Sequence, residues 1–147
     1  MEIVVKKFFE LSITELYGLL QLRSEVFVVE QDCVYQDIDG KDEKALHVLG
    51  LKNGVIVAYT RIFKPGDYFK EAAIGRVVVN QYERKYGYGH EIMRASVNAI
   101  KEHYKTEAIR LSAQTYLLKF YRQHHFETDG ESYLEDGIPH INMVYKP

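Results

Sequence analysis

The dipeptide Asn53-Gly54 constrains the fold more than any other feature of this sequence. It separates two runs that are rich in β-forming residues, Ala45 to Lys52 and Val55 to Phe63. Asparagine and glycine both accept the positive φ angles of a two-residue turn, so the two runs are predicted to form an antiparallel hairpin. This prediction disfavours a flavodoxin-like sheet, in which the neighbouring strands would have to run parallel.

The other elements indicate a mixed α/β order. Val77 to Val79 is a β-branched run typical of a buried, central strand. An apolar stripe through Ile92, Met93, Ser96, Val97 and Ile100 has helical spacing. Strands are predicted at Ile3 to Phe9, Ala72 to Asn80, Ile109 to Ala113 and Pro139 to Tyr145, and helices from about Ile13, at His90 to Tyr104 and at Leu117 to His124.

The first predicted helix has a capping signal at its start and an apolar face that can pack on a sheet. Ser12 and Glu15 match a capping box, so the helix is predicted to begin near Ile13. Glu15 and Arg23 are predicted on the face that points away from the sheet. The face predicted to pack on the sheet carries Ile13, Leu16, Tyr17, Leu20 and Phe27.

Composition limits the classes of function. The 147 residues are 46% hydrophobic and 27% charged, which fits one globular domain spanning residues 1–147. The net charge of -2 gives no general attraction for nucleic acid or an anionic membrane. The longest hydrophobic run, Val55 to Tyr59, is far too short to cross a bilayer. Without a secretory signal, and with Cys33 as the single cysteine, a cytoplasmic protein is expected.

The segment between the valine-rich strand and the second main helix carries the clearest chemical signal. Gly87 and Gly89 let backbone N–H groups approach an anion, and the helix that follows adds its unpaired N-terminal donors. Arg84 and Lys85 add positive charge beside them. The dinucleotide fingerprint fails because its third glycine position is Ile92, and no Walker motif is present. A phosphate site is predicted, the alternative being a glycine loop that only turns the chain.

This segment resembles a known cofactor loop. Arg84-x-x-Gly87-x-Gly89 after a valine-rich strand is similar to the acetyl-CoA pyrophosphate loop of the GNAT superfamily of N-acetyltransferases. The resemblance extends over nearly the whole chain to the ElaA branch of that superfamily. The matching motifs are Leu22-Arg23-x-x-Val26-Phe27-Val28-Val29-Glu30-Gln31, Tyr35-Gln36-Asp37-Ile38-Asp39-Gly40-x-Asp42, Ile74-Gly75-Arg76-Val77, Ser112-Ala113-Gln114, Phe120-Tyr121 and Glu135-Asp136-Gly137-Ile138-Pro139-His140.

The resemblance implies a fold and a cofactor site. The fold is a single α/β domain with a mixed, mostly antiparallel sheet, helices on both faces, and a cleft where two central strands splay. The strand ending at Val79 would pair with the pantetheine arm of acetyl-CoA. The loop amides would cradle its pyrophosphate. The implied cofactor-binding residues are Val77, Val78, Val79, Arg84, Lys85, Tyr86, Gly87, Tyr88, Gly89, Gln114 and Tyr121, with no metal.

The implied reaction moves acetyl from acetyl-CoA to a primary amine by direct attack. Tyr121 resembles the tyrosine that protonates the departing thiolate as general acid, although a core tyrosine is the alternative. Backbone donors near Val77 to Val79 would stabilise the tetrahedral oxyanion. A base must first take the ammonium proton, and an ordered water chain could do this instead of a side chain. The candidate side chains are Glu30, His47, Glu135 and His140, for each of which a structural role is the alternative.

Acceptor and assembly are less determined. The acidic loop from Asp32 to Glu43 indicates a cationic acceptor, unless it is simply a solvated loop. The loop differs from the calcium-binding loop of an EF-hand at Lys41 and Asp42. No set of side chains in the sequence has the spacing of metal ligands, so no metal site is predicted. A homodimer is left open. The alternative to an enzyme is a non-catalytic acyl-CoA-binding or sensing module, which would use the same phosphate loop.

Overall fold

A computed structural model describes all residues 1–147 and contains one eight-stranded sheet with three α-helices. The order along the chain is mixed α/β, as predicted. The strands are β1 (Glu2–Lys7), β2 (Leu46–Lys52), β3 (Val55–Phe63), β4 (Ala72–Val79), β5 (Ile109–Gln114), β6 (Phe126–Thr128), β7 (Tyr133–Glu135) and β8 (Ile138–Tyr145), and the helices are α1 (Ile13–Arg23), α2 (Tyr88–Tyr104) and α3 (Leu118–Arg122).

The strands follow the order β1-β2-β3-β4-β5-β8-β6, and β7 pairs with β8. Asn53 and Gly54 have φ angles of 51° and 78°, and they connect β2 to β3 in an antiparallel hairpin. The hairpin prediction is therefore confirmed. Every pairing in the sheet is antiparallel except that of β4 with β5.

The parallel pair β4 and β5 separates soon after it begins. Only Ala72 and Ala73 of β4 pair with β5, at Ile109 and Arg110. On its other edge β4 stays paired with β3, but a bulge at Arg76, whose φ is 52°, interrupts that ladder. From Gly75 onward one edge of β4 therefore has no strand partner, and the predicted splay of the central strands is confirmed.

Helices pack on both faces of the sheet, also as predicted. Leu19 and Leu22 of α1 pack with Leu49, Tyr59 and Val78 on one face. The other face carries the larger core, in which α2 and Tyr121 of α3 join the inward side chains of β2, β3 and β5. Alternate residues of each strand point to opposite faces, which is why neighbours in sequence serve different cores. No helix is long and apolar enough to span a membrane.

The face of α1 that packs on the sheet differs from the predicted one. The predicted core residues Ile13 and Tyr17 are 89% and 73% exposed, whereas Arg23, predicted to face solvent, is fully buried. The helix continues into a π-helical segment, Ser24–Glu30, and its buried positions fall at Leu19, Leu22 and Val26. The hydrophobic pattern predicted the wrong face because it treats every charged residue as exposed. Arg23 is instead buried, since it pairs with Asp37 and Asp42 of the loop that follows.

Two short strands, β6 and β7, were not predicted. Each has three residues, too few to show a periodicity. A signal for β7 was nevertheless present, since Asp136-Gly137 connects β7 to β8 with φ angles of 52° and 77°, as a two-residue hairpin requires. This hairpin forms one wall of the cleft described next.

Candidate active site

A cleft of about 520 Å³ lies where β4 and β5 part. Its lining includes the glycine loop before α2 and the β7–β8 hairpin. It brings together most of the predicted site residues although they come from six separate parts of the chain. Those that line it are Glu30, Val77, Val78, Val79, Arg84, Gly87, Gly89, Gln114, Tyr121, Glu135 and His140.

The glycine loop enters α2 through a left-handed residue. Asn80 accepts a hydrogen bond from the Tyr82 N–H and starts a 3₁₀ turn over Gln81–Tyr86, after which Gly87 has a φ of 75°. No atom lies within 4 Å of the position that a Cβ on Gly87 would occupy. Glycine is therefore needed here for the backbone angle and for unobstructed access to the N-terminal amides of α2.

Replacement of Gly87 by valine should reduce acetyl-CoA affinity about tenfold or more, because the left-handed loop that presents the amides becomes strained and the side chain projects over them. Gly130→Val is the matched control, since Gly130 also has a positive φ and open space around it but lies outside the cleft. Calorimetric titration with acetyl-CoA measures the effect. Equal loss of affinity in both variants would assign it to general destabilisation.

Three residues of the predicted loop do not present their side chains to the cleft. Lys85 and Tyr86 are exposed, and the Tyr86 ring lies 4.2 Å from the Lys52 ammonium. Tyr88 packs against the main core. Only the backbone amides of these three residues remain candidates for cofactor binding.

Arg84 connects the loop to two other parts of the cleft wall. Its Nη atoms donate to both carboxylate oxygens of Glu30, at 2.6 and 2.8 Å, and its Nε donates to the Val79 carbonyl at 3.1 Å. Glu30 was a candidate base, but both of its oxygens already accept from a guanidinium. The structure therefore favours an ion-pairing role for Glu30 beside the glycine loop.

Tyr121 contributes an unpaired hydroxyl to the cleft. Tyr121 is 5% exposed, and its ring packs edge-on against Phe120 with 5.1 Å between the ring centroids. Burial, with a smaller contribution from Tyr116, raises the pKa of Tyr121 well above its usual value. The hydroxyl is therefore protonated at neutral pH and can donate a hydrogen bond.

His140 and Glu135 face each other across the β7–β8 hairpin. His140 Nδ1 donates to the Ile138 carbonyl at 2.7 Å, so the neutral ring has its lone pair on Nε2. That atom lies 3.4 Å from a Glu135 oxygen. The Tyr133 ring stacks on His140 at 6.2 Å, and the Tyr133 hydroxyl is hydrogen bonded to Ser112. His140 is thus held with a basic nitrogen beside a carboxylate.

His47 does not belong to the cleft, so its assignment as a candidate base is wrong. It is a fully buried residue of β2, where Nε2 donates to the Asp42 carbonyl at 2.9 Å and Nδ1 accepts from the Tyr59 hydroxyl at 2.6 Å. Burial lowers the pKa of His47 and opposes its protonation. Both ring nitrogens are occupied by structural partners.

Three carboxylates of the acidic loop are neutralised within the protein, which contradicts the predicted site for a cationic acceptor, while much of the loop's surface is exposed. Asp37, Asp39 and Asp42 form ion pairs with Arg23, Arg61 and Arg76 at N–O distances of 2.6 to 3.4 Å. Burial would raise the pKa of Asp39 and of Asp42, but these arginines lower both below their usual range. These three carboxylates are therefore not available to a cation, and they fasten the loop against the β4 bulge through Arg76.

Several cleft residues were not identified from the sequence. Gln31 is hydrogen bonded to Gln114 at 3.3 Å, which links the end of α1's π-helical segment to β5. His90 follows Gly89 directly, and that position alone could have indicated it. Further examples are Cys33, Tyr35, Arg76, Ser112 and Tyr116, all of which lie in or beside the family motifs.

Comparisons with known proteins agree on one family. Residues 14–147 match the family model described as an acetyltransferase (GNAT) domain. Protein ElaA of Escherichia coli is 46% identical over 137 residues, covering 92% of this chain and 90% of that protein. Its crystal structure superposes with a TM-score of 0.90 over 99% of this chain and 100% of the other. An acyl-CoA N-acyltransferase from Pseudomonas aeruginosa superposes with a TM-score of 0.93, at 38% identity and the same coverage.

Proposed function

Because this chain belongs to the GNAT family of acetyltransferases, we propose that it transfers the acetyl group of acetyl-CoA to a primary amine. One observation carries the proposal. The unpaired edge of β4, the amides of the glycine loop and the Tyr121 hydroxyl all open into the same cleft. A site that only held phosphate would need the loop but not the other two.

The cofactor fits this cleft as follows. The diphosphate lies against the N-terminus of α2, where Gly87 and Gly89 leave the amides uncovered. Arg84 lies beside it, but its charge is balanced by Glu30. The pantetheine arm forms hydrogen bonds with the free edge of β4 from Val77 to Val79. This places the thioester between the parted strands, within the part of the cleft that Tyr121 lines.

The reaction assigns separate roles to His140, which removes a proton, and to Tyr121, which supplies one. Around neutral pH only about one part in a thousand of an amine with a pKa near 10 is uncharged, so the ammonium proton must be removed. His140 Nε2 takes this proton, and the Glu135 carboxylate stabilises the imidazolium that results. The amine nitrogen then bonds to the acetyl carbon, the carbon–sulfur bond breaks, and the thiolate receives a proton from Tyr121. The proton that the amine nitrogen loses on forming the amide passes through solvent to restore the Tyr121 hydroxyl, and His140 releases its own proton to solvent.

Tyr121→Phe should lower kcat by roughly 10- to 1,000-fold with little change in acetyl-CoA affinity, because it removes only the hydroxyl and keeps the packed ring. Tyr116→Phe is the control, since Tyr116 lines the same cleft but is 70% exposed. Pre-steady-state kinetics isolate the chemical step. A chemical step within twofold of the wild-type rate would remove Tyr121 from the mechanism.

The alternative function is a non-catalytic acyl-CoA-binding or sensing module, which the same loop would serve. The decisive experiment measures release of free CoA from acetyl-CoA in the presence of a panel of primary amines, including diamines, amino acids and peptides. Turnover with any acceptor supports the enzyme. Tight binding of acetyl-CoA by calorimetry, with no turnover across the panel, would favour the binding module.

A further inference from the structure

A pair of histidines lies next to the glycine loop and has no part in the chemistry described above. His90 Nδ1 and His124 Nε2 are 2.8 Å apart, which is a hydrogen bond between the two rings. Phe120 packs on both rings, with centroid distances of 4.9 Å to His90 and 5.2 Å to His124. The same Phe120 ring lies against Gly89, so the pair is built onto the loop that receives the diphosphate.

His90 is placed to contact an anion at the start of α2. It is the third residue of a 17-residue helix, directly after Gly89, and it lines the cleft. Side chains of a helix lean toward its N-terminus, so a side chain in the first turn leans toward a ligand bound there. The charged side chains of the loop are Glu83, which pairs with Lys52, Arg84, which pairs with Glu30, and the exposed Lys85. On α2 itself, Glu91 follows His90 and Arg94 lies one turn further on.

His124 is held in an environment that opposes its protonation. His124 is 8% exposed, and burial lowers its pKa to about 4, with further lowering by His90, Arg94 and His125. His124 therefore remains neutral at physiological pH. Whichever ring carries the shared hydrogen, one further proton gives an imidazolium at His90 that donates through Nδ1 to His124 and has a second N–H at Nε2.

On the basis of the proposed acetyl-CoA site, we propose that His90 is a diphosphate-binding residue and that its protonation accompanies cofactor binding. The imidazolium of His90, oriented by His124, donates to a diphosphate oxygen, while the anion favours the charged form of the ring. Binding of the cofactor takes up a proton, and affinity falls as the pH rises. His124 acts as a positioning residue that accepts from Nδ1 and thereby directs Nε2 to the ligand.

The test uses calorimetry with the 3′-dephospho form of acetyl-CoA, because the 3′-phosphate itself titrates near pH 6. Titrations in buffers of different ionisation enthalpy measure the number of protons taken up. For the wild-type protein we expect uptake of a substantial fraction of one proton and a Kd that rises up to about tenfold per pH unit between pH 6 and 8. In His90→Gln, the uptake should disappear and the Kd should become independent of pH.

Two further variants separate this role from a general effect. His103→Gln changes an exposed histidine near the other end of α2 and should behave as the wild type. His124→Leu keeps His90 but removes its acceptor, and should reduce the proton uptake. Ligand binding by the wild type without proton uptake, or a His90→Gln variant with the wild-type pH profile, overturns the inference and leaves the proposed function intact. Absence of acetyl-CoA binding at every pH instead overturns the proposed function.

Discussion

Replacement of His140 by alanine is expected to lower kcat/KM for the amine acceptor by about 10²- to 10⁴-fold, the usual contribution of a general base. The Ile138 carbonyl fixes the proton on Nδ1, so Nε2 is the atom that accepts the ammonium proton. Acetyl-CoA affinity should change little, because His140 belongs to β8 and not to the glycine loop or β4, which would hold the cofactor.

Chemical rescue distinguishes a base from a structural histidine. Added imidazole should restore part of the activity of His140→Ala, since the deletion leaves space beside Glu135. Glu135→Gln should lower kcat/KM by a smaller factor, about tenfold, because it removes only the stabilisation of the imidazolium. His103→Ala is the control. If His140→Ala retains activity within threefold of the wild type, the proton goes to another acceptor, such as an ordered water.

Replacement of Arg23 by methionine should lower the free energy of unfolding by about 3 to 5 kcal/mol, the usual cost of removing one partner of a buried ion pair. Arg23 is fully buried and donates to Asp37 Oδ2, the Asp37 carbonyl and Asp42 Oδ1 at 2.7 to 2.9 Å. Methionine keeps most of the aliphatic stem, so the loss reports mainly the missing donors. Arg61 still pairs with Asp42, which favours the lower end of the range.

Urea denaturation measures this loss, and Lys52→Met is the matched control. Lys52 pairs with Glu83 on the surface, where an ion pair contributes about 0 to 1 kcal/mol. Equal losses in the two variants would contradict the structural role of Arg23. The acidic loop carries Tyr35 and Cys33 into the cleft, so the variant should also bind the acceptor more weakly.

The ion pairs of Asp39 and Asp42 also make the free energy of unfolding depend on pH in the acidic range. The pKa of Asp39 and of Asp42 is lower in the folded than in the unfolded protein, so unfolding takes up protons as the pH falls. The stabilisation is present above the unfolded value of about 4 and is lost progressively below it. In Arg23→Met this acid dependence should be weaker, because the arginine that lowers the pKa of Asp42 is absent.

Much of the fold and part of the cleft were predictable because their signals are local. The φ angles that Asn53, Gly54 and Gly87 need are properties of those residues, and they determined the β2–β3 hairpin and the loop before α2. The position of Tyr121 followed from a family motif that spans only a few residues. Those predictions needed no knowledge of which distant segments meet.

The interior of the site depended on contacts that no local pattern records. Arg23 reaches its carboxylates 14 and 19 residues away, and Arg84 reaches Glu30 across 54. A charged side chain is exposed or buried according to whether the tertiary structure supplies a partner of opposite charge, because an unpaired buried charge is strongly destabilising. The sequence by itself determined the hairpin, the glycine loop and the family. Only the tertiary structure decided that Arg23 lies inside, that the acidic loop is neutralised, and that His140 rather than His47 faces the cleft.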